Sequence, residues 1–174
     1  MTAMVTPFGK DGNVDYELLK KLIDHLLSTG TDGILVSGTT GEGPTLTEEE
    51  KIELIEKTVE YVAGRVPVVA GTGSNNTKAT IEYTNKVAKI DGVDAALVVV
   101  PYYNKPDQAG MIAHFTAVAD NVDLPIVMYN IPGRTGVTME VKTIAELSKH
   151  QNIIGIKDCT GIVNMAEIIR SICN

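Results

Sequence analysis

Six short apolar runs recur along the chain, and their starts lie about 30 residues apart, the size of one strand–helix unit. The runs are rich in Val and Ile and lack polar alternation, as do parallel strands that are covered on both faces. They are Thr2–Thr6, Gly33–Ser37, Pro67–Gly71, Ala95–Val100, Pro125–Tyr129 and Ile153–Lys157. This pattern predicts an α/β fold built on a parallel sheet.

Amphipathic segments separate the runs and predict helices. The first begins near Asp15, carries its Leu and Ile residues on one stripe and stops at a glycine. The second begins with a T-x-x-E capping box at Thr47 and Glu50. Predicted helices run from Asp15 to Thr29, Thr47 to Gly64 and Thr77 to Gly92, and others begin after Asp107, near Thr138 and near Asn164. Because no Ser- or Pro-rich linker interrupts this series, residues 1–174 are expected to form one domain.

Two architectures accommodate six such units. A doubly wound open sheet suits the length, whereas a (β/α)₈ barrel needs eight units and about 250 residues. Strand spacing alone favours the open sheet. The residues that follow the strands favour the barrel.

The composition disfavours several kinds of partner. A net charge of −7 argues against nucleic acid and anionic membranes, and no apolar stretch reaches the ~20 residues of a membrane span. Cys159 and Cys173 are scattered, which is typical of reduced thiols in a cytoplasmic protein. We expect no metal site, and we interpret His25, His114 and His150 as structural or solvated residues.

Two Gly-rich segments follow the second and third runs. Active sites of parallel α/β folds lie at the carboxyl ends of the strands, so both are candidate sites. Gly38–Gly43 (GTTGEG) is either an anion seat suited to a carboxylate or a plain turn. Gly71–Asn76 (GTGSNN) imitates a dinucleotide-binding loop, but it lacks the third glycine and follows the wrong strand. We reject the nucleotide interpretation.

The last three runs end in residues that suit acid–base and carbonyl chemistry. Pro101–Pro106 carries two tyrosines, and the fifth run ends at Tyr129, five residues before Arg134. Arg is a bidentate partner for carboxylates. Lys157 ends the sixth run, where a lysine either reaches solvent or, if desolvated, has a lowered pKa and attacks carbonyls. Tyr129 would lie one strand away, ~5 Å at the backbone, and its hydroxyl suits proton transfer.

Together these segments resemble the dihydrodipicolinate synthase family. They occur in the same order and at the same spacing as the motifs of that family, and they extend over the whole chain. The resemblance lies in the following segments: Ala3–Phe8 (AMVTPF), Asp11-Gly12, Gly38–Glu42 (GTTGE), Gly71–Gly73 (GTG), Pro101–Asn104 (PYYN), Tyr129–Gly136 (YNIPGRTG) and Gly155–Asp158 (GIKD). It implies a (β/α)₈ barrel that condenses pyruvate with aspartate β-semialdehyde. The product would be 4-hydroxytetrahydrodipicolinate, on the route to diaminopimelate and lysine.

The resemblance also implies catalytic roles. Lys157 would form an imine with pyruvate, and Tyr129 would be the general acid/base. Thr39 would link Tyr129 to Tyr103 in a proton relay, with Tyr103 reaching in from a neighbouring subunit. No metal or organic cofactor is implied, because the imine itself is the electron sink.

Binding roles follow from the same motifs. Thr40 and the backbone of its turn, including Gly38 and Gly41, would hold the pyruvate carboxylate. Arg134 would bind the carboxylate of the semialdehyde at the pocket entrance. Tyr102 would lie at a subunit contact, so the resemblance implies a homo-oligomer, a dimer or a tetramer.

The chain is shorter than the barrel that the resemblance implies. It begins inside the first strand and ends after the sixth helix, so we expect an incomplete barrel with apolar edges at Thr2–Thr6 and Ile153–Lys157. For a polypeptide of this length alone we expect negligible synthase activity.

Other functions remain open on the sequence alone. N-acetylneuraminate lyase and keto-deoxy sugar acid aldolases share the implied barrel and imine lysine, but they match Arg134 and Pro101–Pro106 less well. A non-catalytic fragment and an open-sheet anion-binding module are the alternatives from other classes. Neither predicts a covalent adduct with pyruvate.

Overall fold

The computed structural model describes residues 1–173, which divide into two compact units. The first comprises residues 1–71 and 87–95, and the second comprises residues 72–86 and the described residues from 96 onward. The expectation of one domain over the whole chain stays a prediction. No helix within the described residues is long and apolar enough to cross a membrane.

The first unit alternates parallel strands with helices. Its elements are β1 (Thr2–Ala3), α1 (Tyr16–Ser28), β2 (Ile34–Val36), a 3₁₀ turn (Gly43–Thr45), α2 (Glu48–Val62) and β3 (Val68–Gly71). Strand β2 pairs in parallel with both β1 and β3. All three of its residues are buried, so this strand lies in the core of the unit.

The second unit continues the same alternation. It contains most of α3 (Thr77–Val87) and β4 (Ala95–Val99), then α4 (Gln108–Asp120), β5 (Ile126–Asn130), α5 (Pro132–Thr135), α6 (Val141–Leu147), β6 (Ile153–Asp158) and α7 (Met165–Ile172). Strand β5 pairs in parallel with β4 and β6. All six apolar runs of the sequence therefore contain strands.

Within each unit, neighbouring strands follow the order of the chain, β1-β2-β3 and β4-β5-β6. A doubly wound sheet reverses its strand order partway, whereas a (β/α)₈ barrel adds each strand beside the previous one. In the doubly wound order 3-2-1-4-5-6 the reversal falls between the two halves, so the strand order within each unit fits both architectures.

The helix starts predicted at Asp15, Thr47 and Asp107 are accurate because local capping determines them. The Asp15 carboxylate accepts the amide of Leu18 at 2.9 Å, and Thr47 and Glu50 form the complete capping box. Two boundaries were predicted wrongly. Helix α3 ends at Val87, not Gly92, because the chain turns there and the amide of Ile90 bonds to the Val87 carbonyl.

The other wrong boundary is the start of α6, which begins at Val141 and not near Thr138. The Gln108 side chain holds the backbone before this helix: its amide donates to the Thr138 carbonyl, and its carbonyl accepts the amide of Glu140. Asn130 likewise accepts the amide of Met139. These contacts come from distant elements, so the local pattern did not reveal them.

His114 predicts a pH dependence of stability. Its side chain is 5% exposed in α4, and its Nδ1 lies 2.9 Å from the Thr77 hydroxyl. Burial lowers the pKa of His114 from 6.5 to about 4. Between these values the unfolded chain binds a proton that the folded chain does not, so stability falls as the pH drops below 6.5. The free energy of unfolding should decrease by about 2 kcal/mol from this residue between pH 7 and pH 5.

Chemical denaturation at pH 7 and pH 5 measures this effect. The control is His114→Gln, which removes the titrating ring but keeps a polar side chain beside Thr77. The variant should lose about 2 kcal/mol less than the parent chain over this pH interval. An equal loss in both proteins would assign the pH dependence to other groups.

Candidate active site

Tyr129 and Lys157 lie side by side at the carboxyl ends of β5 and β6. The two residues are directly paired in the parallel ladder, and the Lys157 Nζ lies 4.6 Å from the centroid of the Tyr129 ring. Tyr129 is 6% exposed, and Lys157 is half-buried. The ring face attracts the ammonium group and so favours a fixed position of the lysine beside the tyrosine. The predicted proximity of these two residues is confirmed.

An irregularity in β6 produces this pairing. Ile126 is paired with Ile153, but the next residue of β5 is paired with Gly155, so Ile154 has no partner. A regular ladder that continued from the first pair would place Tyr129 opposite Ile156. The extra residue therefore advances β6 by one position and brings Lys157 opposite Tyr129, as β-bulges do where a side chain must be redirected.

Arg134 lies on the short helix α5, directly beyond the end of β5. Thr135 fixes this helix from within, since its buried hydroxyl donates to the carbonyl of Val137 at 2.8 Å and lies 3.1 Å from the carbonyl of Ile131. The Arg134 side chain is exposed, and in the part of the chain that the structure describes it forms no ion pair. An exposed guanidinium without a protein carboxylate is available to bind an anionic ligand.

The loop after β4 presents its two tyrosines to solvent. Tyr102 is 38% exposed and Tyr103 is 89% exposed, with a positive φ of 72° at Tyr103. Among residues 1–173 the Tyr103 side chain makes no hydrogen bond or ring contact, so within this chain it is not joined to Tyr129. The left-handed backbone of a bulky residue is a strained conformation, which is more frequent at functional sites.

The turn after β2 has the features of an anion seat. Thr39 and Thr40 are exposed, and the turn is closed by a hydrogen bond of 3.2 Å from the amide of Gly43 to the carbonyl of Gly38. The hydroxyl of Thr6 donates to the carbonyl of Gly41 at 2.6 Å. Within the described residues, the amides of positions 39, 40 and 41 have no acceptor. Consecutive amides of this kind bind anions.

Two glycines around this turn are needed for close packing. A side chain at Gly43 or at Gly71 would collide with the backbone carbonyl of Ser37, which lies against both. Ser37 itself is buried and has a positive φ of 55°. The GTG segment that imitates a nucleotide-binding loop therefore has a packing role at its first glycine. Thr72, its middle residue, is buried and accepts a hydrogen bond from Thr84.

The predicted site residues divide between the two units. Gly38, Thr39, Thr40 and Gly41 lie in the first unit, and the predicted residues from Tyr102 onward lie in the second. The proposal that both groups serve one site stays a prediction. Within the described part of the chain, no three His, Cys, Asp or Glu residues form a cluster that could hold a metal ion.

Sequence reasoning missed two polar residues that directly follow the central pair. Asn130, which follows Tyr129, is fully buried, and its side-chain amide donates to Asp158 Oδ1 at 2.8 Å. Asp158 follows Lys157 and also accepts from the amide and the hydroxyl of Thr160. The available signal was a polar residue next to each candidate catalytic residue, at the ends of neighbouring strands.

Comparison with known proteins connects this geometry to one family. The sequence model of the dihydrodipicolinate synthetase family matches residues 1–174. The chain is 66% identical over 172 residues to 4-hydroxy-tetrahydrodipicolinate synthase of Ligilactobacillus salivarius. The matched region covers 99% of this chain and 59% of that protein. The chain thus spans less than two thirds of the length of this relative.

Solved structures give the same result. Dihydrodipicolinate synthase of Bacillus anthracis matches with a TM-score of 0.96 and 49% identity, over 99% of this chain and 59% of its own. The chloride-inhibited synthase of Acinetobacter baumannii, solved in complex with pyruvate, matches with a TM-score of 0.93 and 46% identity. This match covers 98% of this chain and 58% of the relative's chain. The likeness confirms the predicted fold class, a (β/α)₈ barrel of which this chain covers six βα units. The chain therefore belongs to the dihydrodipicolinate synthetase family.

Proposed function

We propose that the protein condenses pyruvate with L-aspartate 4-semialdehyde to give 4-hydroxy-tetrahydrodipicolinate, through an imine on Lys157. The observation that carries this proposal is the pairing of Lys157 with Tyr129, whose ring centroid lies 4.6 Å from the amine. An amine that forms an imine needs a nearby group that transfers protons as water leaves. The pyruvate complex of the Acinetobacter baumannii relative supports pyruvate as the first substrate.

Each step of the proposed reaction has a candidate group in this chain. The amine of Lys157 attacks the keto carbon of pyruvate, and Tyr129 delivers a proton to the departing oxygen, which leaves as water. The protonated imine then withdraws electrons while Tyr129 takes up a methyl proton, and the resulting enamine adds to the aldehyde carbon, whose oxygen becomes a hydroxyl. The amino group of the semialdehyde then attacks the imine carbon, which closes the ring and releases the Lys157 amine. Thr39 and Tyr103 are the proposed relay that exchanges protons between Tyr129 and solvent. The imine replaces a metal or organic cofactor as the electron sink.

The carboxylates of the two substrates are assigned to different groups. The turn from Gly38 to Gly41 would hold the pyruvate carboxylate, because Thr40 adds a hydroxyl to amides that have no acceptor among the described residues. Arg134 would bind the carboxylate of the semialdehyde through two parallel N–H···O bonds. Two separate anion sites suit a reaction that joins two carboxylic acids.

We also propose that the protein functions as a homo-oligomer. The support is the exposure of Tyr102 and Tyr103 in a loop whose backbone is strained at Tyr103. A second copy that covers this loop would explain why two aromatic residues are presented to solvent. It would also allow Tyr103 to act in the site of the neighbouring subunit.

Trapping with borohydride tests the proposed function. Incubation with pyruvate and sodium borohydride should add the mass of reduced pyruvate to the peptide that contains Lys157, as measured by mass spectrometry of a digest. The synthase of Ligilactobacillus salivarius, treated in parallel, is the positive control for the trapping chemistry. An adduct in the control but none on Lys157 would refute the assignment for this chain.

A further inference from the structure

Asn130 and Asp158 form a partly buried connection between the ends of β5 and β6. Asn130 is 0% exposed, and its Nδ2 donates to Asp158 Oδ1 at 2.8 Å. The other carboxylate oxygen of Asp158 accepts the amide and the hydroxyl of Thr160 at 3.2 and 2.5 Å. Asn130 is in turn fixed by the backbone of Met139, whose amide donates to Asn130 Oδ1 at 3.1 Å and whose carbonyl accepts from Nδ2 at 3.4 Å. Both side chains are therefore held from two directions.

This connection exists only in the register that pairs Tyr129 with Lys157. In that register Asn130 is paired with Asp158, one residue beyond the candidate catalytic pair. If β6 lost its irregularity at Ile154, the ladder would shift by one residue and Asn130 would lie opposite Lys157. A shift by one residue also turns every side chain of the strand to the other face.

The backbone alone does not select between these registers, because a parallel ladder forms the same kind of hydrogen bonds in either one. Ile154, the residue without a partner, is 60% exposed, so its burial does not fix the bulge. By contrast, a buried amide that loses its charged acceptor is costly, and the Met139 carbonyl, at 3.4 Å, is the weaker of the two acceptors of Asn130 Nδ2. The Asn130–Asp158 hydrogen bond is therefore the contact that penalises the shifted register.

We propose that Asn130 and Asp158 are positioning residues that hold Lys157 opposite Tyr129. Their side chains take no part in proton transfer or imine formation. Their effect on the reaction rests on the proposed function, whereas their effect on the register does not. The two parts are therefore tested by separate measurements.

The first variant is Asn130→Ala, with Asn152→Ala as the matched control. Asn152 also uses its side-chain amide to bind backbone carbonyls, those of Ala119, Val122 and Leu124, but it precedes the other end of β6. Both variants should be less stable. Only Asn130→Ala should slow the formation of the pyruvate adduct, by at least roughly a hundredfold, because a displacement of only about 1 Å already has an effect of this size.

An NMR measurement reports the register without any reaction. In the parent chain, Lys157 side-chain protons should show nuclear Overhauser contacts with the Tyr129 ring, because the ammonium lies 4.6 Å from the ring centroid. These contacts should persist in Asn152→Ala and disappear in Asn130→Ala. If both variants keep the contacts and the adduct rate, the proposal is overturned. If the parent chain forms no adduct but only Asn130→Ala loses the contacts, the positioning role stands and the proposed function fails.

A rescue experiment covers the case in which Asn130→Ala does not fold. Asp158→Asn alone must lose one contact, because one of the two carboxylate oxygens becomes an NH₂ group. That NH₂ group faces the donor of either Asn130 or Thr160, and two donors do not form a hydrogen bond. The double variant Asn130→Asp with Asp158→Asn restores a donor and an acceptor across the strands. The single variant should lose the ring contacts and the double variant should regain them. Equal behaviour of the two would also overturn the proposal.

Discussion

Replacing Lys157 by alanine should abolish the borohydride-stable pyruvate adduct and, in a protein of the full length of the relatives, lower the rate of condensation by roughly a thousandfold or more, as expected when a covalent nucleophile is removed. The reason is that no other lysine of the second unit is paired with a buried tyrosine at a strand end, as far as the structure describes the chain. Mass spectrometry of the trapped protein and steady-state rates measure the two effects.

Lys157→Arg is the control that separates chemistry from folding. Arginine keeps the positive charge and the attraction to the Tyr129 ring, but its guanidinium remains protonated and does not form an imine. Both variants should therefore lack the adduct, while Lys157→Arg should unfold at nearly the temperature of the parent chain. Full adduct formation in a folded Lys157→Arg protein would place the nucleophile elsewhere.

Much of the fold follows from local sequence. Each apolar run contains a strand, because parallel strands covered on both faces require continuous Val- and Ile-rich segments. Helix starts at Asp15, Thr47 and Asp107 are correctly predicted because each of these side chains caps its own helix. These features depend on residues only a few positions apart, and the sequence shows them directly.

Boundaries that depend on distant contacts were less predictable. Helix α6 starts three residues after its predicted start near Thr138, because Gln108, from α4, holds the extended backbone before it. The short helix α5 was not predicted, because Pro132–Thr135 reads as a Gly- and Pro-shaped loop. Helix α5 is a single turn, and the start of α6 depends on one side chain from another element. Hydrophobic periodicity, which is read over a longer segment, does not reveal either feature.

In the candidate site, too, some features follow from local sequence and others depend on contacts between distant elements. The residue types at the strand ends, Tyr129, Arg134 and Lys157, were evident from the sequence because carbonyl chemistry requires an amine, a proton donor and an anion partner. The register that joins two of them was not, because it depends on one extra residue in β6. The shared site with Thr39 and Thr40, and the role of Tyr103 across a subunit contact, remain predictions.

In a protein of the full length of the relatives, Arg134→Ala is expected to raise the KM for the semialdehyde ten- to hundredfold while pyruvate adduct formation is retained. Loss of a charge-assisted bidentate contact costs roughly 1.5–3 kcal/mol, which corresponds to this range. The fold should tolerate the change because the Arg134 side chain is exposed and forms no ion pair within residues 1–173. The buried Thr135 maintains helix α5 independently of this side chain.

Arg134→Lys distinguishes bidentate recognition from simple charge attraction. Lysine keeps the positive charge but presents a single ammonium, so the KM for the semialdehyde should lie between the values for the parent and for Arg134→Ala. Steady-state kinetics with each substrate varied, together with the rate of pyruvate trapping, measure both effects in the same proteins. If Arg134→Ala slows pyruvate trapping as strongly as it weakens binding of the semialdehyde, then Arg134 binds the first substrate, pyruvate. The assignment of separate anion sites is wrong in that case.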